Sequence, residues 1–556
     1  MANFESEQIP DQSDFPVEQR NAAVELLLGI CHRQQTEIRE LRAQVQYQAQ
    51  QIQLQSEQIA LQAEQIKKLK DEIAILKGAK GRPIIKASGM SKDADVGPTS
   101  GQLKRGKPSI KKTAQLKIQH VEIIAPKNLP EGSKFKGYED YVVQDIKIGL
   151  NNTRYRRARY ETPDGRTMIG ELPATISGSH FGPVLQSYIL SQYYQQHVPQ
   201  NLILKQLWEF GIRISAGVLN ELITERKEAF HSEKDEVLRV GLAVSSHINT
   251  DDTGARHQGK NGFCTHIGNE FFACFTSTAS KSRINFLELL QAGATEYTVD
   301  ALSRQYMLAN RLPKVLLKLF AQDQVFPSKL LWDLHLQGLG FSQRARRIAT
   351  EGALTASLLE NGRLSHLVIM SDDAGQFNVT GFLNALCWVH AERSIHTIIP
   401  YCEDNRRAQQ LVRDQIWNLY RDLKAYKAAP SDSIKSALDR RFNEIFTQKT
   451  CFQTLNLALR RVYLNKKELL LVLERPEIPL HNNLSENDIR DYVKKRKISA
   501  TTRSDEGRKA RDTMLSLKKT CQKLGVSFWQ YLLDRISQQN LIPPLPQLIR
   551  AAAQSP

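Results

Sequence analysis

The chain of 556 residues lacks the features of a membrane protein and of a disulfide-stabilised protein. No apolar run comes near the ~20 residues that a membrane-spanning helix needs, and the aliphatic stretch 469–473 has only five residues. The seven cysteines include no CxxC pair, so neither a disulfide framework nor a cysteine-rich zinc site is expected. The N-terminus is acidic and polar, unlike a signal peptide, and predicts an intracellular protein.

Acidic residues are in the minority, with 59 Asp and Glu against 76 Lys and Arg, a net charge of +17. Hydrophobic residues make up 41% and charged residues 24%, which is typical of globular proteins and excludes wholesale disorder. The length predicts three or four domains. The basic excess favours a polyanionic partner, with nucleic acid as the first candidate.

Residues 31–77 contain neither glycine nor proline and carry a heptad repeat. Six of its seven a positions are Ile or Val, whereas four of the seven d positions between 34 and 76 are Gln. A β-branched a layer favours a parallel two-stranded coiled coil. Residues 1–77 are therefore predicted to form a homodimer, the alternative being one long helix that packs on its own protein.

The next two segments are basic and lack long periodic runs. Residues 78–117 hold ten Lys and Arg against two Asp, with repeated Gly, Pro and Ser, and predict a flexible linker that could contact phosphate. Residues 118–180 predict a small β domain with a turn at 163–165. A strand there would present four arginines to DNA, although a solvated charged strand is equally compatible. These are Arg154, Arg156, Arg157 and Arg159.

Residues 181–235 are helical in pattern. One short helix ends at Gly211, and Ser215 can cap the next, over 216–223. Two such helices are compatible with helix-turn-helix DNA binding, but core helical hairpins have the same pattern.

Three acidic positions follow predicted regular elements. Strand 242–248 leads into Asp251 and Asp252, at the start of a meander whose next strands are 262–267 and 271–278. Strand 364–370 leads into Asp372 and Asp373. Another apolar strand, 383–389, precedes His390, and Glu486 lies on a predicted helix that Asn483 or Ser485 could cap. On that helix, Arg490 shares the face of Glu486 and Lys494 lies near it.

Two-metal cleavage of a phosphodiester needs a few carboxylates around ions about 3.5–4 Å apart. Mg²⁺ and Mn²⁺ prefer oxygen ligands, which suits acids without a Cys and His set. An Asp at a strand end is ordinarily a turn residue, so each acid alone is weak evidence. The ordered set of strand–Asp, strand–Asp and helix–Glu in a basic surround indicates a divalent-metal site.

These motifs resemble those of bacterial insertion-sequence transposases of the insertion sequence 66 (IS66) family, which have a DDE catalytic core. The matching stretches are Asp251-Asp252-Thr253, then Asp372 with Phe377 and the Cys-Trp-x-His-Ala-x-Arg run at 387–393, and finally the Asn-Asn-x-x-Glu run at 482–486 with Arg496-Lys497. The resemblance implies that Asp251, Asp372 and Glu486 hold two Mg²⁺ or Mn²⁺ ions. Asp252 and Asp373 rank second, and His390 and Arg393 could contact DNA or order the site, although a core histidine is favoured.

The resemblance implies an α/β fold with a ribonuclease-H-like catalytic core over 236–535. Helical insertions are expected near 283–362 and 406–473, the latter with Trp417, Tyr420 and Leu423, and a C-terminal tail over 536–556. Family members commonly carry a Cys-based zinc ribbon, but 118–180 contains no cysteine, so no structural zinc is predicted. A second basic surface is expected on the helix of the third acid. Its residues are Arg490, Lys494, Lys495, Arg496 and Lys497.

The implied function is DNA transposition in the bacterial cytoplasm, in association with the nucleoid. The chain would bind double-stranded DNA at the terminal inverted repeats and at the target, cut strands and join them; the need for accessory proteins stays open. The main alternative is a catalytically inactive or domesticated DNA-binding relative. A second alternative is a nuclease of the same core fold that hydrolyses DNA without joining it.

Overall fold

The computed structural model describes residues 29–41, 43–46, 48, 118, 120–124, 133, 134, 138, 141–143, 149–173, 179–360 and 364–554. The chain divides into two compact units, Met1–Ala87 and Ser88–Pro556, which are treated separately below. In the described parts of the chain, no helix is both long and apolar enough to cross a bilayer.

In the first unit, the described residues between 29 and 48 are helical. Ile38, Leu41 and Val45 are 49%, 54% and 62% exposed, although two of them, Ile38 and Val45, occupy predicted a positions. These apolar side chains are thus exposed within the described part of the first unit. The remainder of the predicted coiled coil, over 49–77, and the basic linker over 78–117 lie outside the described residues.

The second unit begins with an exposed hairpin. Strand β1, Arg159–Glu161, pairs antiparallel with β2, Thr167–Ile169. Gly165 in the connecting turn has a φ of +79°, a conformation that glycine adopts without steric cost, and the predicted turn at 163–165 is confirmed. No described residue between 118 and 173 is buried, so this part of the predicted β domain contributes no core.

Four helices precede the central sheet: α1, Pro183–Leu190, extended by a π-helical turn at Ser191–Gln195; α2, Gln200–Glu209; α3, Ala216–Thr224; and α4, Glu228–Val244. Gly211 ends α2 with a φ of +80°, and Ser215 Oγ accepts a hydrogen bond from Val218 N–H at 3.2 Å. Both predictions are confirmed. The predicted strand over 242–248 is wrong at its start, because Leu242 lies on the buried face of α4 together with Leu238.

The meander consists of β3, His247–Gly254, β4, Phe263–Gly268, and β5, Ala273–Thr278, all antiparallel neighbours. Asp251 and Asp252 therefore lie within β3 and not beyond its end. Since side chains alternate along a strand, the two carboxylates leave opposite faces of the sheet. Asp251 is directly opposite His266 of β4.

The first helical insertion follows β5 and packs into the main core. It comprises α5, Arg283–Leu290; β6, Tyr297–Val299; α6, Ala301–Ala309; α7, Lys314–Leu317, with a 3₁₀ turn at Lys318–Phe320; β7, Gln324–Phe326; α8, Lys329–Gly338; and α9, Gln343–Leu359. Strands β6 and β7 form a separate antiparallel pair. Trp332 of α8 is buried and its ring stacks on Tyr297 at 5.7 Å between centroids.

Two parallel strands complete the sheet: β8, Val368–Ser371, beside β3, and β9, Leu383–Leu386, beside β8. The strand order is β5-β4-β3-β8-β9, a mixed sheet in a mostly helical α/β unit. Helix α10, Trp388–His396, begins directly after β9. The predicted strand over 383–389 is thus too long, and His390 lies in the first turn of a helix.

The second helical insertion has a core of its own. It contains α11, Glu403–Ala428; α12, Asp432–Thr447; α13, Gln453–Leu464; and α14, Lys466–Leu469, with a 3₁₀ turn at Leu471–Leu473. Tyr420 and Leu423 are buried there, and Trp417 packs against them. Val368 and Met370 of β8 belong to this cluster, whereas Ile369 belongs to the main core. The sheet therefore separates two hydrophobic cores.

Four helices form the described C-terminal part of the unit: α15, Asn483–Ser499; α16, Asp505–Lys523; α17, Phe528–Ile536; and α18, Leu545–Gln554. The segment 536–556, predicted as a tail, contains α18. Leu545 and Ile549 of that helix are fully buried in the main core, because their spacing of four residues places them on one helix face.

Candidate active site

Asp251 lies in β3 on the side of the sheet that α15 covers. It is half-buried, and its Oδ1 accepts a hydrogen bond from the backbone N–H of Asp252 at 2.7 Å. The pKa of Asp251 is raised to about 7, chiefly by burial and further by the negative charges of Asp372 and Glu486. The other two predicted acids thus both contribute to the raised pKa of Asp251.

Asp372 is the first residue after β8 and opens a tight loop. Its Oδ1 accepts a hydrogen bond from Ala374 N–H at 3.2 Å. Since β8 runs parallel to β3 and pairs with it, the carboxyl end of β8 lies beside the stretch of β3 that carries Asp251. The side chain of Asp372 is half-buried at this position.

Glu486 lies in the first turn of α15. His390 Nε2 is 3.7 Å from Glu486 Oε1, and Arg490 Nη2 is 3.9 Å from Glu486 Oε2. Glu486 Oε1 is buried but makes no hydrogen bond. A buried carboxylate oxygen without a donor is unfavourable, and this oxygen is available to a cation.

His390 is partly buried and lies beside the third predicted acid. Burial lowers the pKa of His390, opposed by the charge of Glu486, so its imidazole is neutral at pH 7. Its Nε2 also lies 3.3 Å from Arg393 Nη1. The signal was present in the Cys-Trp-x-His spacing, but only the structure places this histidine beside the third acid.

The second-ranked acids both have partners. Asp252 accepts hydrogen bonds from Thr265 Oγ1 at 2.5 Å and from Gln376 Nε2 at 2.8 Å. Asp373 Oδ2 accepts one from Asn465 Nδ2 at 3.0 Å. Asp251 and Asp372 accept their hydrogen bonds from backbone N–H groups one and two residues away, whereas the bonds of Asp252 and Asp373 come from side chains distant in sequence.

A buried asparagine that the sequence did not single out joins the elements of the site. Asn482, the residue before α15, is fully buried; its Nδ2 donates to Thr250 O at 2.7 Å, and its Oδ1 accepts from Asn249 Nδ2 at 2.8 Å. Its backbone N–H points to Cys387 Sγ at 3.2 Å. The N-terminus of α15 is thereby fixed to β3 next to Asp251.

The predicted capping of α15 is wrong. Asn482, and neither Asn483 nor Ser485, occupies the N-cap, and no side chain caps the helix. Ser485 Oγ is instead hydrogen-bonded to His266 Nδ1 at 2.7 Å, and both residues are fully buried. The capping groups are used for tertiary contacts because α15 begins against the sheet, where β3 and β4 offer partners.

The predicted basic surface on α15 divides into exposed and buried residues. Arg490, Lys494 and Lys497 are exposed, and Arg496 Nη1 donates to Thr253 Oγ1 at 3.1 Å and to Gly254 O. Lys495 is fully buried and cannot reach DNA, so its predicted role is corrected. The four predicted arginines of the hairpin region are all exposed: Arg154, Arg156, Arg157 and Arg159.

Lys495 is held by the segment after α1. Its Nζ donates to Tyr193 O at 2.7 Å and lies 3.2 Å from the centre of the Tyr193 ring. Burial, with the charges of Lys518 and Arg511, lowers the pKa of Lys495 to about 7. This lysine ties α15 to the helices that precede the sheet.

The donor set suits a hard divalent cation, because it offers carboxylate oxygens and includes the unpartnered Glu486 Oε1. The side chains do not stand as a closed coordination shell: within the described ranges, no three or more His, Cys, Asp and Glu residues form a group that could hold a metal ion.

This region of the chain is similar to known proteins. A family model described as "Transposase IS66 family" matches residues 349–510, a span that includes Asp372 and Glu486 but not Asp251. The uncharacterized protein y4jO of Sinorhizobium fredii (strain NBRC 101917 / NGR234) is 43% identical over 323 residues, which are 57% of this chain and the whole of that protein.

Proposed function

The chain belongs to the IS66 family of transposases, and we propose on that premise that it cuts DNA at the ends of an insertion sequence and joins them to a target. The observation that supports the proposal is geometric: β8, which ends just before Asp372, pairs in parallel with β3, which carries Asp251. The helix of Glu486 is bound to β3 at its N-terminus through Asn482. Three segments distant in sequence would have no reason to bring free carboxylates together for stability, because the charges repel.

The sheet supports a ribonuclease-H-like catalytic core. In that interpretation the antiparallel β3, β4 and β5 are followed by the parallel β8 and β9. Asp251 would lie within the first strand, Asp372 after the fourth and Glu486 on the helix that crosses the sheet. The two helical insertions would interrupt this core after β5 and after α10.

We assign Asp251, Asp372 and Glu486 as the ligands of two Mg²⁺ or Mn²⁺ ions. Such ions, when bound, activate an attacking water or 3′-hydroxyl and stabilise the leaving oxygen. Of the chain's own residues, His390 has a neutral imidazole that can accept a proton beside Glu486. Exposed Arg490 and Lys494 would bind phosphate oxygens of the DNA and orient the scissile strand.

The remaining parts would supply DNA binding and pairing of protomers. The arginines at 154–159 and the exposed side of α3 are proposed to bind the terminal repeats, with phosphate contacts giving most of the affinity. The N-terminal coiled coil would pair two protomers, because two element ends must be handled together. We place the protein with DNA in the bacterial cytoplasm.

The direct test incubates the protein with a plasmid that carries its gene and flanking DNA, in the presence of Mg²⁺. Cleaved and joined products support a transposase; cleavage without joining favours the nuclease, and binding without cleavage favours the inactive relative. Glu486→Ala is expected to abolish cleavage and leave DNA affinity nearly unchanged, with Glu506→Ala, at an exposed first-turn position of α16, as the matched control. Normal cleavage by Glu486→Ala would show that the metal assignment is wrong.

A second pair of variants tests the choice within the Asp372-Asp373 pair. Asp372→Asn is expected to abolish cleavage, whereas Asp373→Asn is expected to retain most of it, because an amide can still hydrogen-bond to Asn465. Loss of cleavage in the second variant only would exchange the two roles. Single-turnover cleavage with each variant measures the difference.

A further inference from the structure

The 372–377 loop, which carries Asp372, is held from both helical insertions. From the second insertion, Asn465 at the junction of α13 and α14 donates its Nδ2–H to Asp373 Oδ2 at 3.0 Å. Lys466, the next residue, is fixed within that insertion by an ion pair with Asp439 at 2.8 Å. The loop is thus tied to an element with its own hydrophobic core.

From the first insertion, Arg283 of α5 donates Nη2–H to Gly375 O at 2.6 Å, and its Nη1 donates to Glu351 Oε2 at 3.1 Å. Phe286, on the same helix, packs edge-on against buried Phe377, with 5.0 Å between ring centroids. The far end of the loop therefore rests on α5 through one charged hydrogen bond and one aromatic contact.

A third attachment joins the loop to the sheet. Gln376 Nε2 donates to Asp252 Oδ2 at 2.8 Å, and Asp252 is itself fixed by Thr265 of β4. Asp252 thus connects β3 to the loop, and Asp373 connects the loop to the second insertion.

The loop also contains a residue with a left-handed backbone. Asp373 has a φ of +74°, a conformation that few residues other than Gly, Asn and Asp adopt. Such a conformation persists when surrounding contacts hold it. It turns the chain directly after Asp372, so the direction of the Asp372 side chain depends on the contacts of the following residues.

We propose that Asn465 and Arg283 are positioning residues that hold Asp372 toward Asp251, so that both helical insertions are parts of the active site. This inference rests on the proposed function, since it concerns one of the acids assigned there. Hydrogen-bonded partners that orient a metal-ligating carboxylate typically change metal affinity or activity about 10–100-fold when removed.

The test exchanges donor and acceptor between Asn465 and Asp373 in the full-length protein. Asn465→Asp places two carboxylates against each other, whereas Asp373→Asn keeps a polar contact and tolerates the positive φ, since Asn is enriched there. The double variant Asn465→Asp with Asp373→Asn restores an amide–carboxylate hydrogen bond. Asn418→Asp, on α11 of the same insertion, is the matched control, because the partner of Asn418 is Arg421 on the same helix.

Two measurements, neither of which requires DNA cleavage, show how the variants change the loop and its metal binding. Mn²⁺ binding by electron paramagnetic resonance is expected to weaken about 10-fold in Asn465→Asp and to return within about 3-fold of wild type in the double variant. Hydrogen–deuterium exchange of a peptide covering 371–380 is expected to accelerate in Asn465→Asp alone. The control should change neither quantity, and thermal unfolding checks that every variant is folded.

The outcomes separate this inference from the proposed function. If wild type binds Mn²⁺ but Asn465→Asp binds it equally, or if the double variant is not restored, the positioning role is overturned. If wild type shows no Mn²⁺ binding that Glu486→Ala removes, the metal assignment fails. Exchange of the 371–380 peptide then decides by itself whether the insertion holds the loop.

Discussion

Asn482 Nδ2 donates a hydrogen bond to Thr250 O at 2.7 Å and so joins the start of α15 to the residue before Asp251. The same side chain accepts from Asn249 Nδ2 at 2.8 Å. Glu486 follows one helical turn later. The separation of the first and third acids therefore depends on a fully buried amide and not on either acid itself.

Replacing Asn482 by Ala should lower the free energy of unfolding by about 2–4 kcal/mol. The change leaves Thr250 O and Asn249 Nδ2 buried without partners, and each unpaired buried group costs about 1–3 kcal/mol. Urea denaturation followed by circular dichroism measures the loss. Asn483→Ala, at the next and less buried position, is the control, and an equal loss in both variants would contradict the assigned role of Asn482.

Substitution of Lys495 should affect DNA affinity less than substitution of its neighbours on α15. Lys494→Met and Lys497→Met should each weaken binding and reduce the slope of log K against log salt by about 1, since each exposed lysine can neutralise one phosphate. Lys495→Met should change neither quantity, because its Nζ is used by Tyr193. Fluorescence anisotropy with a labelled duplex over a salt series measures both, and a reduced slope for Lys495→Met would show that this lysine reaches DNA.

Stability should rise with pH because of Lys495. Its pKa is about 7 in the folded protein against 10.5 for an ordinary lysine, so between these values the unfolded chain binds more protons than the folded one. The free energy of unfolding therefore increases as the pH rises from 7 toward 10.5. This gain in stability is lost again as the pH falls back to 7.

Lys495→Met should accordingly be more stable than wild type at pH 7, with a difference that narrows toward pH 10. We expect about 2–4 kcal/mol, since one pKa unit is worth about 1.4 kcal/mol and the Tyr193 ring offsets part of the cost. Urea unfolding at both pH values measures the difference. Lys497→Met, at an exposed position, should show no such convergence, and a gain that is independent of pH would point to packing alone.

Removing residues 1–77 should leave the second unit folded but monomeric, because the heptad is proposed to pair protomers. Multi-angle light scattering measures the mass, and circular dichroism checks the fold. Ile38→Lys with Val45→Lys should have the same effect within the full chain, since both occupy exposed a positions. Glu40→Lys, at an outward-facing c position, is the control; an unchanged oligomer after the deletion would exclude the coiled-coil role.

Local sequence rules predicted most of the elements that carry the site. The turn at 163–165, the helix end at Gly211 and the cap at Ser215 depend on neighbours a few residues away, and each is present. Apolar periodicity also located the strands near Asp251 and Asp372. It failed at residues 242–244 and at 388–389, where a helix face packs on the core and overrides the β propensity of the residues.

The sequence by itself determined which acids are candidates and in which order they come. It could not place Lys495 inside the protein or give Asn482 its role. Each of these depends on a partner from a distant segment, Tyr193 and Thr250, respectively. Hydrogen bonds and burial between segments far apart in the chain exist only after folding, so the tertiary structure alone decided them.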